Sequence, residues 1–278
     1  MAWNRKVELI VESDLSAVTI SDLHVDFDVQ RSVTFSDNTA TFTVYNASED
    51  TRKEILRQGN NLVFKAGYED EGIGVLFIGN ITEAVSRLQG PDWVTEIQAS
   101  AIRSDSEPLE NTNVVLSYAP STSLASVLRQ LGTAMGLVVT GAENANITLP
   151  NGWVYVGSTR GALDYCLKIL KDNNAALYID NNTIVIYRTD TTSSTFTAVY
   201  LDYDSGLKSV EDITETTDET KRAEKRIGFN SIILPKIQPN GLIQISTPGL
   251  SGIFLVEVVR FSGNNYGGGF DCEGEAVE

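Results

Sequence analysis

The chain has 278 residues, of which 42% are hydrophobic, enough for one large domain or two to three small ones. Its 37 acidic and 21 basic residues give a formal charge of −16, which repels a phosphate backbone and argues against nucleic-acid binding. The longest apolar runs, residues 75–78 and 253–256, are far shorter than the roughly 20 residues of a membrane span. Because Glu8 and Glu12 interrupt any signal-like stretch, we expect a soluble protein made in the cytoplasm.

The first third of the chain has the two-residue period of β strands. In residues 23–30 apolar and polar side chains alternate strictly, which places every second residue on one buried face. The apolar residues of this segment are Leu23, Val25, Phe27 and Val29. The alternation returns in residues 39–45, and further strand signals occur at 62–67, 75–82 and 93–102. This series predicts a barrel or sandwich.

One short helix interrupts these strands. Asn46 and Glu49 have the spacing of a capping box, and Ser48 is an alternative N-cap for a helix over residues 49–57 that Gly59 ends. Residues 60–81 then predict a hairpin with a charged turn at 69–72.

The middle of the chain has a helical period and predicts a small α/β module. A first helix begins at Ser121 or Ser123 and ends at Gly136, and its apolar face consists of Leu124, Val127, Leu128, Leu131 and Met135. A short strand at 154–156 precedes a second helix, which Ser158 caps and whose apolar residues are Leu163, Cys166, Leu167 and Leu170. Residues 176–179 and 183–187 predict a hairpin.

The last third returns to strands. Strand signals at residues 226–234, 242–246 and 253–261 are separated by proline and glycine turns, and the Ser/Thr-rich run 189–197 suggests a boundary before them. The predicted fold is therefore mainly β with an α+β insertion. This order predicts a first β domain at 1–117, an inserted α/β domain at 118–189 and a second β domain at 190–278.

No constellation of nucleophile, base and orienting group has a recognisable spacing, so we assign no catalytic, cofactor-binding or metal residue. The single histidine, His24, shares a strand face with Asp26 and Asp28, and we interpret it as solvated surface. Residues 202–206 begin like a calcium loop, but Ile213 occupies the position of the required glutamate, which favours a plain acidic turn.

Three further features have structural interpretations. The glycine-rich run 263–269 lacks a Lys-Ser/Thr pair and a following helix, which favours a hairpin tip. Cys166 and Cys272 have no Cys-x-x-Cys or histidine companion and are expected to be reduced packing residues. The charged segment 211–226 is either a mobile solvated loop or a segment that becomes ordered against a neighbouring subunit.

Three motifs follow one another in the last third of the chain. They are Ser205-Gly206-Leu207, residues 229–235 (Phe-Asn-Ser-Ile-Ile-Leu-Pro) with 241–245 (Gly-Leu-Ile-Gln-Ile), and the long strand 252–263. Their order resembles the end of the baseplate hub family of contractile-tailed phages, which includes late control protein D and the start of VgrG spike proteins. Residues 38–45, the capped helix and residues 59–79 look like the first barrel of that family.

The resemblance implies a non-enzymatic structural hub in the virion tail baseplate, synthesised in the host cytoplasm. Such a hub has two tail-tube-like barrels per chain, so a homotrimer presents six barrels to the hexameric tail tube and three-fold symmetry to the central spike. Its implied partners are the tail tube protein, the spike, the tape measure protein and other baseplate subunits. DNA passes through the channel without specific binding, and an acidic lumen would keep it from adhering.

Two alternatives remain open at this point. A carbohydrate-binding or carbohydrate-cleaving tail protein would expose aromatic residues along a groove, for which Trp3, Trp93 and Trp153 are the candidates. A ring adaptor of a non-contractile tail would form six-fold assemblies.

Overall fold

The computed structural model describes residues 4–13, 16–34, 38–57, 60–70, 72–101, 113–190, 197–213 and 225–278. The chain forms two compact units. The first, called the β unit, comprises Met1–Val33, Asn38–Ala99 and Ser194–Glu278. The second, called the α/β unit, comprises Thr34–Asp37 and Ser100–Ser193. Residues of the first and last thirds of the chain therefore belong to the same unit.

The β unit contains one short helix and strands from both ends of the chain. Its N-terminal elements are β1 (Arg5–Glu12), β2 (Ala17–Ile20), β3 (Val25–Ser32), β4 (Thr39–Tyr45), α1 (Glu49–Ile55), β5 (Asn61–Tyr68), β6 (Gly72–Gln89) and β7 (Asp92–Ser100). The α/β unit follows along the chain with β8 (Asn113–Tyr118), β9 (Thr122–Ser123), α2 (Leu124–Met135), β10 (Val138–Thr140), a 3-10 helix (Ala142–Ala145), β11 (Thr148–Leu149), β12 (Trp153–Ser158), α3 (Thr159–Lys171), β13 (Ala175–Asp180) and β14 (Thr183–Arg188). The C-terminal elements of the β unit are β15 (Val199–Leu201), β16 (Leu207–Ile213), β17 (Arg226–Ile232), β18 (Leu242–Ser246), β19 (Ser251–Asn264) and β20 (Phe270–Val277).

The strands of the β unit form one continuous sheet with the order β16-β17-β20-β19-β3-β4-β7-β6-β5-β1-β2, and β18 and β15 branch from β19. The two ends of the chain meet where β19 pairs antiparallel with β3. A β-bulge at Glu257 separates the part of β19 that pairs with β18 from the part that pairs with β3. The Glu257 carbonyl accepts a 2.9 Å hydrogen bond from the Val33 N–H, so the bulge does not leave this acceptor unpaired.

Alternating side chains supply the core of the β unit. Val25, Phe27 and Val29 are buried, as the alternation of residues 23–30 predicts, whereas Leu23 lies before the strand and is half-buried. The Phe64 ring lies 4.7 Å from Phe27 and 4.9 Å from Phe42, measured between ring centroids. These contacts join β5 to β3 and β4 across the interior, and aromatic pairs of this kind add to the free energy of area burial.

The cap of α1 differs from the capping-box prediction. Ser48 is the N-cap, and its hydroxyl accepts a hydrogen bond from the Thr51 N–H. Asn46 instead has a left-handed backbone (φ 56°), and its side-chain oxygen accepts from the Trp93 N–H while its amide donates to Asp92. The prediction that Asn46 caps α1 was therefore wrong. Its side-chain amide hydrogen-bonds to the start of β7 and not to the N-terminus of the helix.

The α/β unit has its own apolar core. Helices α2 and α3 bury the predicted faces, with Leu124, Val127, Leu128 and Leu131 from α2 and Leu163, Cys166 and Leu170 from α3. The predicted caps Ser123, Gly136 and Ser158 are present, and Gly136 has the left-handed backbone of a helix C-terminus (φ 68°). Strands β13 and β14 form the predicted hairpin, whose turn residues Asn181 and Asn182 both have positive φ.

The predicted mainly β fold with an α+β insertion is confirmed by this arrangement. The domain limits 1–117, 118–189 and 190–278, and the division of the β regions into two barrels, stay predictions. None of the helices in the described part of the chain is long and apolar enough to cross a membrane.

Gly274 in β20 tests how tightly the C-terminal strands pack. A methyl group at this position would lie 2.6 Å from a ring carbon of Phe229 and 2.6 Å from the Val258 carbonyl oxygen. We expect Gly274→Ala to lower the free energy of unfolding by about 1–3 kcal/mol, since overpacking displaces neighbouring side chains and backbone. Gly267→Ala is the matched control because nothing lies within 4 Å of its added carbon. Urea denaturation measures the effect. Equal unfolding midpoints for the two variants would contradict tight packing around Gly274.

Candidate functional site

The main candidate for a functional surface is the solvent side of the strands from β16 to β4, called the polar face. Antiparallel pairing aligns its side chains in rows across the sheet. One row consists of Ser209, Asn230, Glu273, Arg260, Gln30 and Thr39, each paired with the next. The next row consists of Ile232, Asp271, Ser262, Asp28 and Thr41. Polar side chains thus cover strands from both ends of the chain without interruption at the β19–β3 junction.

Carboxylates outnumber cations on the polar face. Its acidic residues are Asp26, Asp28, Glu211, Asp271, Glu273 and Glu275, and its basic residues are Lys208, Arg226 and Arg260. The Arg260 guanidinium donates from Nε to both Asp28 oxygens at 3.0 Å, and this pairing raises the pKa of Arg260. Lys208 pairs with Asp271. Glu211 and Glu273 form no ion pair with any described residue, so the net charge of the face is negative.

A groove of about 350 Å³ lies in the polar face over β17 and its neighbours. Gly228 has no side chain, and the space between Glu211 and Glu275 in its row is bordered by Ile213, whose Cδ1 would lie 3.2 Å from a methyl carbon added at Gly228. Glu273 and Arg260 also line the groove. Because its walls carry more carboxylates than cations, the groove favours cationic or neutral groups and repels phosphate.

His24 belongs to a small cluster at the end of the polar face. Its ring stacks on Tyr45 with centroids 4.6 Å apart and lies 5.0 Å from Tyr266, and its Nε2 lies 3.1 Å from Asp26 Oδ1. The Tyr45 hydroxyl donates to the other Asp26 oxygen at 3.0 Å, and burial together with this hydrogen bond raises the pKa of Tyr45. His24 is therefore a packed, partly exposed residue, more contacted than the solvated position that the sequence predicted.

The glycine-rich run is the tip of the β19–β20 hairpin, as predicted. Asn264 Oδ1 accepts hydrogen bonds from the Tyr266 and Gly267 N–H groups. Asn265 attaches the tip to the start of β3, since it accepts from the Val25 N–H and donates to the Leu23 carbonyl. The run therefore connects the two ends of the chain.

The acidic turn at residues 202–206 is held by its own hydrogen bonds. Asp202 Oδ1 accepts from the Ser205 N–H at 2.6 Å, and the donors of Ser205 lower the pKa of Asp202. Within the described ranges no group of three His, Cys, Asp or Glu side chains could hold a metal ion. The segment 211–226 begins as the end of β16, a strand that sequence patterns missed, and its residues 214–224 lie outside the described residues.

The tryptophan candidates do not line the polar groove. Trp93 covers the Arg52 guanidinium, whose Cζ lies 4.0 Å from the ring centroid. Trp153 is almost fully buried in the α/β unit, where it stacks on Tyr165 at 4.9 Å. Trp3 lies outside the described residues.

Sequence reasoning found most strands of the polar face, but it missed β16 and did not find the face itself. The carboxylates that share it lie far apart in the chain, from Asp26 to Glu275, and only the β19–β3 register brings them together. One local signal for the face was available in β20, where the acidic residues Asp271, Glu273 and Glu275 alternate with the buried residues Cys272 and Ala276.

The fold is shared with structural proteins of phage tails and related secretion systems. Two similar structures are a tail protein of Neisseria meningitidis MC58 (TM-score 0.69, 10% identity, 99% of this chain and 97% of that one) and the 43 kDa tail protein of prophage MuSo2 from Shewanella oneidensis (0.68, 11%, 99% and 98%). A third is the Escherichia coli c3393 protein, a type VI secretion component described as similar to the T4 tail proteins gp27 and gp5 (0.62, 9%, 97% and 76%). No curated protein sequence matches the chain.

The fold places the chain in a class of β-rich proteins that includes these tail proteins. Within that class, the chain belongs to the baseplate hub gp41 family, whose model matches residues 5–275. The resemblance to baseplate hubs is thereby confirmed, and the family name places its members in the tail baseplate.

The two cysteines give a test of the packing interpretation. Both are free and buried, and burial raises the pKa of the Cys166 thiol to about 12 and also raises that of Cys272. Because the thiolate is the reactive form, we expect neither cysteine to react with a thiol reagent such as DTNB at pH 8 in the folded protein. Both should react at once in denaturant. Rapid labelling of either cysteine before unfolding would contradict their placement in the core.

Proposed function

We propose that this hub acts as a homotrimer that joins a six-fold tail tube to a three-fold central spike. The observation that carries the proposal is the β19–β3 pairing, which places the first and last thirds of the chain side by side in one sheet. Each copy thus offers two adjacent β regions to a wall. Three copies supply six such regions, which is the number that a six-fold tube requires.

We further propose that the polar face lines the channel through which DNA passes. An excess of carboxylates on a continuous face repels phosphates, and a wall of this kind lets DNA slide without adhering. Glu211 and Glu273 contribute to this effect because neither forms an ion pair with a described residue, although Glu273 accepts a hydrogen bond from Asn230 and lies opposite Arg260.

The proposed role is structural and not enzymatic. Membership of a structural hub family supports it. The tail tube, the spike, the tape measure protein and further baseplate subunits are its proposed partners, and the assembled baseplate is its proposed location.

The number of copies tests the trimer. Native mass spectrometry or light scattering of the purified chain should give three times the mass of 30.3 kDa. A six-copy ring would favour the adaptor of a non-contractile tail. A measured mass of one chain, even at high protein concentration, would contradict the proposed trimer.

The channel role is tested by reversing charge on the polar face. We expect tails assembled with Glu211, Glu273 and Glu275 all changed to lysine to release DNA several-fold more slowly, since phosphates would then bind the wall. The matched control changes the exposed Glu143, Asp172 and Asp204 to lysine, which alters the net charge equally. Release followed with a DNA-binding dye should slow only in the first variant. Equal rates in both variants would place the polar face away from the DNA path.

A further inference from the structure

The solvent side of the sheet changes from charged to apolar where β18 and β15 branch from β19. Tyr200, Gln244 and Ile253 form one cross-strand row, in which Tyr200 is 49% and Ile253 is 54% exposed. Leu242 and Leu255, partly exposed, form the neighbouring pair. We call this surface the isoleucine face. Apart from its apolar residues it contains only Gln244, Ser246 and Ser251, and therefore no charged side chain.

A second uncharged surface lies on the α/β unit, on the antiparallel pair β8 and β12. One side of this pair packs on the core through Leu116 and Trp153. The other side, called the valine face, carries Val115, Val154 and Val156, which are 78%, 73% and 73% exposed. Val115 and Val156 lie directly opposite each other in the register. The remaining residues on this side are Asn113, Ser117 and Ser158, so the valine face is also free of charge.

Two other exposed apolar residues, Leu88 and Val75, have charged neighbours, unlike the residues of these two faces. Leu88 lies beside the ion pair of Arg87 and Glu96, and Val75 is paired with Lys65 in the sheet. Contiguous apolar surface without charge is a mark of an interaction site, and β-branched residues on a sheet suit a flat apolar surface.

Charge indicates what covers the two faces. Each copy has a formal charge of −16, so two copies repel each other wherever their acidic surfaces meet. The contact between copies is least unfavourable where both surfaces lack charge, and each copy carries two such surfaces that differ from each other. A contact between two different patches is heterologous, and heterologous contacts between identical chains form a ring when the rotation between copies closes and an open filament when it does not.

We propose that the isoleucine face of one copy packs on the valine face of the next copy. This inference rests on the proposed trimer and names its interface. The three valines cover only part of the roughly 800 Å² that each partner buries in a standard interface. They form the apolar centre of the contact, and closure of the ring adds stability because the last contact is intramolecular.

The test uses one lysine on each face. We expect Val156→Lys and Ile253→Lys each to reduce the mass to that of one chain, because a buried unpaired charge disrupts the contact. Val138→Lys and Leu88→Lys are matched controls, since these residues are 63% and 61% exposed and lie outside both faces. Both controls should keep the wild-type mass. Circular dichroism and the unfolding midpoint would show that all four variants fold.

A mixture of the two disruptive variants gives the sharper result. Val156→Lys keeps its isoleucine face and Ile253→Lys keeps its valine face, so a 1:1 mixture should form a dimer of one chain of each and nothing larger. Should either lysine prevent folding, Val156→Ala and Ile253→Ala replace them, and we expect the dissociation constant to rise by about tenfold or more.

The outcomes separate this inference from the trimer itself. A wild-type trimer that survives both lysine substitutions would overturn the interface and leave the trimer standing. Loss of the trimer with only one of the two variants, or a mixture that stays monomeric, would overturn the pairing of the two faces. A wild-type chain that never associates would overturn both proposals.

Discussion

The antiparallel pairing of β19 with β3 is the contact on which the β unit depends. It joins residues far apart in the chain, as the ion pair of Arg260 with Asp28, 232 positions apart, illustrates. The bulge at Glu257 makes this possible, because it lets one long strand pair first with β18 and then with β3 while β20 follows it on the other edge. Without this junction the two ends of the chain would be separate sheets, and the polar face would end at β19.

The same bulge divides two kinds of surface on one side of the sheet. Before it, Ile253 and Leu255 belong to an uncharged apolar face, and after it Arg260 belongs to rows rich in carboxylates. A single strand therefore contributes both to a face suited to protein contact and to a face that repels phosphate. This division underlies both proposals, the contact between copies and the wall of the DNA channel.

Regular local patterns were predictable from the sequence, and patterns that depend on distant partners were not. The alternation in β3, the apolar stripes and caps of α2 and α3 and the Asn181-Asn182 turn are determined by neighbouring residues, so they could be predicted. Strand β15 has three residues, and β16 is acidic with little alternation, so neither has a local signal strong enough. The polar face and the two uncharged faces depend on cross-strand register, which a single sequence does not contain.

The long separation between β3 and β19 also has a consequence during synthesis. The chain is made from its N-terminus, so β3 is complete long before residues 258–264 exist. Throughout that interval β3 has an unpaired edge on the side that β19 will occupy, and such edges invite pairing with other chains. Charged and polar residues on this strand, among them Asp26, Asp28 and Gln30, make the open edge less adhesive. The acidic residues thus protect the nascent chain before they belong to any finished surface.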